Sequence, residues 1–209
     1  MTENNSLDAM IVRNIHDIEA AYQRVNDQIE TALTKGVAEI FAHATEQSGW
    51  DGDSADVDFE KMWLAPKDWK SQSGDETSEE YDLYFCLSYS GEAELTWLST
   101  FVGAADLQLG LFLETDMLTG PAWRRLIKSA EMKDALMQIT SKGFTVESAN
   151  GEIVIYFKID REKLACGFEN DDLSEALEPI AAAMKMAIDA RSVFEPLLKR
   201  IRADVAAAV

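Results

Sequence analysis

The chain has 209 residues, 38 acidic against 19 basic side chains, a net charge of −19 and 47% hydrophobic content. That hydrophobic content excludes a disordered chain, and the charge excludes simple electrostatic binding to nucleic acid or to an anionic membrane. A chain of this length buries roughly 70% of its unfolded surface, so it needs no disulfide or metal to fold, and Cys86 and Cys166 read as small hydrophobes in apolar stretches.

The first element is a long helix. Ile11, Ile15, Ile18, Tyr22, Val25, Ile29 and Ala32 alternate spacings of four and three, a heptad stripe. Leu33, Val37, Ile40, Phe41 and Ala44 continue it. The pattern predicts one helix over residues 6–47, with Ser6 as N-cap and a bend at Gly36, where glycine costs about 1 kcal/mol relative to alanine. Such a stripe serves a monomer's core or the seam of a homodimer along Ile11–Ala32. The residues before it, Met1–Leu7, are polar and lack an apolar signal region.

Residues 48–80 form an acidic loop region. Asp51, Asp53, Asp56, Asp58 and Glu60 precede an apolar patch, Met62-Trp63-Leu64, and a short strand is expected near Phe59–Leu64. Asp75, Glu76, Glu79 and Glu80 lie in a polar stretch that reads as an exposed loop. Residues 51–100 carry 13 acidic and 3 basic groups, so one quarter of the chain holds half of the excess charge.

Residues 81–160 read as a sheet with one inserted helix. Tyr81, Leu83, Phe85, Leu87 and Tyr89 alternate with smaller or polar residues; Glu94–Val102 is apolar on both faces; Leu107, Leu109, Leu111 and Leu113 alternate again. Gly91 and Gly103 sit in the turns, which implies antiparallel pairing. Gly120-Pro121 opens a helix expected to stop near Gly143. Asn150-Gly151 then turns a hairpin from Phe144–Ser148 into Glu152–Ile159. Helices are expected over residues 171–207, capped by Asp171 or Asp172 and kinked or restarted at Pro179 and Pro196. The expectation is a single α+β domain over residues 1–209. Its predominantly antiparallel sheet has about five to six strands, meander plus hairpin, packed with a long N-terminal helix and long C-terminal helices.

Most catalytic chemistry lacks its residues. His16 and His43 stand 27 positions apart on one helix, about 40 Å at 1.5 Å per residue, too far to share a metal. CxxC, HxxxH, GxxxxGK, GxGxxG and GxSxG are absent. A calcium loop counted from Asp51 fails, because Ala55, Asp56 and Met62 fall where acid, glycine and glutamate belong. Asp68-Trp69-Lys70 and Glu131-Met132-Lys133 fit a nuclease-type tripeptide. However, 38 acidic residues and 11 lysines produce about two such matches by chance. No cofactor or metal is implied.

Two function classes remain. The first is a non-enzymatic, cytoplasmic, acidic binding or regulatory protein that engages a basic partner protein, as an inhibitor or DNA mimic in its sharpest form. Its contacts would be Asp51, Asp53, Asp56, Asp58, Glu60, Asp75, Glu76, Glu79 and Glu80, with Trp63 and Trp69 as aromatic anchors. Arg124, Arg125 and Lys128 share one helical face and suit phosphate, an acidic partner or internal ion pairs. The alternative is an enzyme, or a subunit of a metal-dependent nuclease-type complex, with acids among Asp68, Glu94, Glu114 and Asp116. No membrane span is expected, since no apolar run approaches the ~18 residues required.

Overall fold

The computed structural model describes residues 3–54, 59–71, 80–91, 96–104 and 107–208. Helical structure runs end to end through α1 (Glu3–Arg13), α2 (Ile15–Arg24), a π-turn (Val25–Ile29) and α3 (Glu30–Ser48). Ser6 lies inside α1 rather than capping it. The interruption falls at Asn14, whose side-chain amide donates to the Met10 carbonyl at 2.8 Å and competes with the helical ladder. The expected bend at Gly36 does not occur. A Cβ there would stand 2.8 Å from Leu177 Cδ1, so the glycine allows close helix packing rather than a break. Gly49, at φ +70°, ends α3 with its N–H on the Thr45 carbonyl.

The sheet follows as β1 (Asp51–Asp53), β2 (Trp63–Ala65), β3 (Tyr84–Ser90), β4 (Gln108–Glu114), β5 (Thr145–Glu147) and β6 (Glu152–Tyr156). Its order is β1-β2-β3-β4-β6-β5, antiparallel throughout. The architecture is α+β, with helices leading and closing the chain, as the sequence predicts. Three elements differ from expectation. Phe59–Lys61 is a 3₁₀ turn, and the strand begins only at Trp63. The expected strand over 94–102 is instead α4 (Trp97–Phe101), with the Thr96 hydroxyl accepting from the Ser99 N–H as its N-cap. The helix expected from Gly120 to Gly143 is two helices, α5 (Gly120–Ile127) and α6 (Lys133–Ser141), because Ser129 adopts extended backbone at φ −70°, ψ 144°.

The C-terminal part holds α7 (Arg161–Asn170), α8 (Ser174–Asp189) and α9 (Glu195–Ala208). α7 has no counterpart among the elements expected from residue order. Its N-cap is Asp160, which accepts from the N–H groups of Glu162 and Lys163 at 2.9 Å each. Leu173, not Asp171 or Asp172, holds the N-cap position of α8; Asp171 ends α7, and Asp172 Oδ1 accepts from Ser174 N–H just ahead of α8. Pro179 sits within α8, and Pro196 falls in the first turn of α9 after a 3₁₀ turn at Arg191–Phe194.

The core lies between one sheet face and the helices. Leu64, Phe85, Leu87, Leu111, Ile153 and Ile155 point inward and are buried with Phe41 of α3, Ile180 and Met184 of α8, and Phe194. The Phe85 ring stands 5.4 Å from Phe194 and 6.0 Å from Trp69. α9 is fastened by Arg202. Its Nε donates to Asp82 Oδ2 at 2.6 Å, and its Nη2 reaches the carbonyls of Asp68 and Lys70 at 2.8 and 3.3 Å. Asp82 is 2% exposed, so this charge is held inside by one guanidinium.

Candidate functional site

Side chains alternate across a strand, so residues opposite one another in register share a face. Asp51 pairs with Ala65, Trp63 with Cys86, Tyr84 with Glu114, Phe112 with Val154, and Glu147 with Glu152. Following the ladder two residues from Phe112–Val154 brings Glu114 beside Glu152. One row therefore crosses all six strands of the sheet: Asp51, Ala65, Tyr84, Glu114, Glu152 and Glu147. Four of its six positions are carboxylates. At ~4.8 Å between strands the row is about 24 Å long. The next row, Asp53, Trp63, Cys86, Phe112, Val154 and Thr145, is mostly apolar. By alternation both rows lie on the sheet face opposite Phe85, Leu87, Leu111, Ile153 and Ile155, and on that face Ala65, Phe112 and Val154 are themselves buried.

Tyrosine hydroxyls link these carboxylates. Tyr84 donates to Asp116 Oδ1 at 3.2 Å, just beyond the end of β4. Tyr156 lies within hydrogen-bond reach of both Glu147 Oε1 at 3.3 Å and Glu152 Oε2 at 3.2 Å. Tyr81 donates to Asp51 Oδ2 at 2.5 Å, and Lys67 stands 3.8 Å from the other oxygen. Among the described residues no Lys or Arg forms an ion pair with Glu114, Asp116, Glu147 or Glu152.

This crowding shifts the titrating groups. Partial burial against the sheet raises the Glu114 carboxyl, and the charges of Asp116 and Glu152 add to it. Burial pushes the Cys86 thiol far up, reinforced by Glu114 and Asp116, so it is no nucleophile. Tyr84 is raised by burial and then by Asp116. Tyr156 is pushed up to about 12, by burial first and then by Glu152 and Glu147, against a lowering contribution from Ser90.

The residues singled out by sequence fall in different places. Asp51 and Asp53 sit on the edge strand β1, on the outer face. Trp63 is half-buried on the same face, its ring 4.8 Å from Tyr81. Trp69 is 0% exposed and packs in the core against Trp50, Phe85 and Phe194, so it is no surface anchor. Glu80 is exposed. Asp56, Asp58, Asp75, Glu76, Glu79 and Glu94 lie outside the described residues, and for Glu60 only the backbone is described. Asp68 is in a 3₁₀ turn, paired with Arg191, not on a strand beside a free lysine. Arg124 and Arg125 are exposed on α5 and Lys128 is exposed at its C-cap, and none makes an ion pair among the described residues.

Sequence reasoning weighed Glu114 and Asp116 only as catalytic acids and missed Tyr84, Glu147, Glu152 and Tyr156. The usable signal was the Asn-Gly hairpin, which sets Glu147 against Glu152 once its register is fixed. Among the described residues there is no group of three or more His, Cys, Asp or Glu that could hold a metal ion, and no helix long and apolar enough to cross a membrane.

A separate groove of about 970 Å³ runs between α3 and α8. Its floor is apolar, with Ile40, Ala44, Leu173, Ala181 and Ile188, and Lys35, Glu39 and His43 stand along its rim. Compared with protein-family models, curated proteins and solved structures, the chain matches none.

Proposed function

We propose that this protein is a non-enzymatic binding protein that engages a basic partner through the outer face of its sheet. The observation that supports this reading is the carboxylate row Asp51, Glu114, Glu152 and Glu147. Like charges directly opposite in a sheet are destabilising, by roughly 0.2–1 kcal/mol per pair. A sheet that sets Glu147 against Glu152, with Glu114 beside them and no lysine or arginine among the described residues to neutralise them, keeps unspent affinity for cations. Beside it the half-buried Trp63 adds apolar contact area, while Phe112 and Val154 of the same row are buried. A lysine- or arginine-rich strand laid across a ~24 Å row matches its length. DNA mimicry is the sharpest form of this proposal, and competition by duplex DNA for the same partner is its mark.

The test is titration calorimetry with a Lys/Arg-rich peptide at several salt concentrations. Asp51→Asn, Glu114→Gln, Glu147→Gln and Glu152→Gln together are expected to weaken binding at least tenfold. A control that neutralises Glu46, Glu162, Glu169 and Glu178 on the helices removes the same charge and is expected to change binding far less. Equal loss in both variants would show that only net charge matters and would sink the proposal.

A second reading rests on the raised Glu114 carboxyl at the end of β4, since a carboxyl that holds its proton more tightly suits a general acid. In an enzyme, Glu114→Gln alone would abolish turnover, whereas a binding face loses affinity in increments.

A further inference from the structure

Of the large hydrophobic side chains exposed among the described residues, seven lie on α1 and α2: Leu7, Met10, Ile11, Val12, Ile15, Ile18 and Tyr22, at 37% to 73% exposure. No residue from Asn5 to Gln28 is buried. An isolated helix of this length is marginal in water, and most helical stability in proteins comes from packing an apolar face. This arm therefore lacks the contact that its own sequence pattern is built for. α3 is packed along α8, while the stripe on α1 and α2 ahead of it stays exposed.

We infer that the arm is covered by the arm of a second copy, in an antiparallel two-stranded pairing that makes the protein a reversible homodimer. The stripe is self-complementary in that sense. With Ile15 facing Ile18 of the partner copy, Ile11 faces Tyr22, and the four contacts repeat by two-fold symmetry. The antiparallel sense is favoured by charge. Each chain carries −19, and arms that overlap head to tail hold the two bodies at opposite ends rather than side by side.

The area agrees with a reversible rather than an obligate pair. Burying an aliphatic side chain removes roughly 60–120 Å² of apolar surface. Seven side chains about half exposed then offer roughly 200–400 Å² per arm, and with polar flanks the pair buries roughly 700–1,300 Å² in total. That reaches only the lower edge of the standard interface, about 1,200 Å². This inference is independent of the acidic face, which lies on the sheet.

The experiment is sedimentation equilibrium of the full chain over a concentration series, with three variants. The parent is expected to dimerise in the micromolar range. The pair Ile15→Glu and Ile18→Glu is expected to be monomeric at every concentration with an unchanged melting transition of the body. Ala181→Glu, an exposed position in the α3–α8 groove, is expected to dimerise like the parent. Mixed Ile15→Cys and Ile18→Cys chains in a Cys166→Ala background are expected to cross-link to each other and not to themselves. A monomeric parent at 100 µM or above overturns the inference. So does loss of the dimer in Ala181→Glu, which would place the arm in the partner's groove, and so does self-cross-linking of Ile18→Cys alone, which would make the arms parallel.

Discussion

Residues 5–24 and residues 30–48 belong to one helical run and repeat apolar residues at the same spacing, yet none of the first stretch is buried while the second buries Leu33, Thr34, Val37 and Phe41. The difference is not in the pattern but in what stands opposite. α3 meets α8, where Gly36 lets Leu177 approach. No described residue of α1 or α2 from Asn5 to Arg24 is buried. Helical spacing specifies a face and leaves the partner open.

The contrast can be pressed from its strongest side. Phe41→Ala, in the buried half, is expected to destabilise the chain by about 3–5 kcal/mol, read as a lowered urea midpoint. Arg202→Ala is expected to cost about 3–5 kcal/mol, because it leaves the Asp82 carboxylate buried without its cation. In both variants the arm should keep its association, which separates body stability from arm contact.

Glu114→Gln is expected to act in the other direction and more weakly. A raised carboxyl holds its proton more tightly in the folded state, so its ionised form works against the fold above the unfolded pKa. Replacing it should stabilise the chain at neutral pH by about 0.2–1 kcal/mol, at the low end because the side chain is open to solvent. The gain over the parent should shrink as pH falls through the raised value, where Glu114 takes up its own proton. Thermal melts at pH 7 and pH 4 check both sign and window. The smallest effect belongs to the arm. Ile18→Ala should change the melting of the dilute monomer by under about 0.5 kcal/mol, since no buried contact is lost.

Much of this fold is legible from residue order. Alternation finds β3 and β4, Asn150-Gly151 finds the β5–β6 hairpin, and the acid at Asp172 marks the entry to α8. The failures have local causes. Trp97-Leu98-Ser99-Thr100-Phe101 is rich in residues that favour strands, and the Thr96 cap tips it into a helix packed by Trp97 and Phe101 against Phe59. The break at Ser129 has no proline or glycine to announce it. α7 carried a readable cap in Asp160, masked because the preceding strand pattern ran up to it. The run of acids in residues 51–80 is visible in residue order, whereas the row of Asp51, Glu114, Glu152 and Glu147 comes from four different strands and appears only with strand register.

The π-turn at Val25–Ile29 sets the direction of the whole arm. There the Glu30 N–H reaches back five residues to the Val25 carbonyl, so this turn holds one residue more than its neighbours. Each α-helical residue advances the chain about 100° around the axis. Removing one residue here, such as Gln28, would let the ladder close as ordinary α-helix and swing everything before it by about that angle. The apolar stripe would then look out over a different side of the molecule, with every side chain of the arm retained and the body untouched. The turn works as an indexing stop, fixing the compass bearing of the surface from Leu7 to Tyr22.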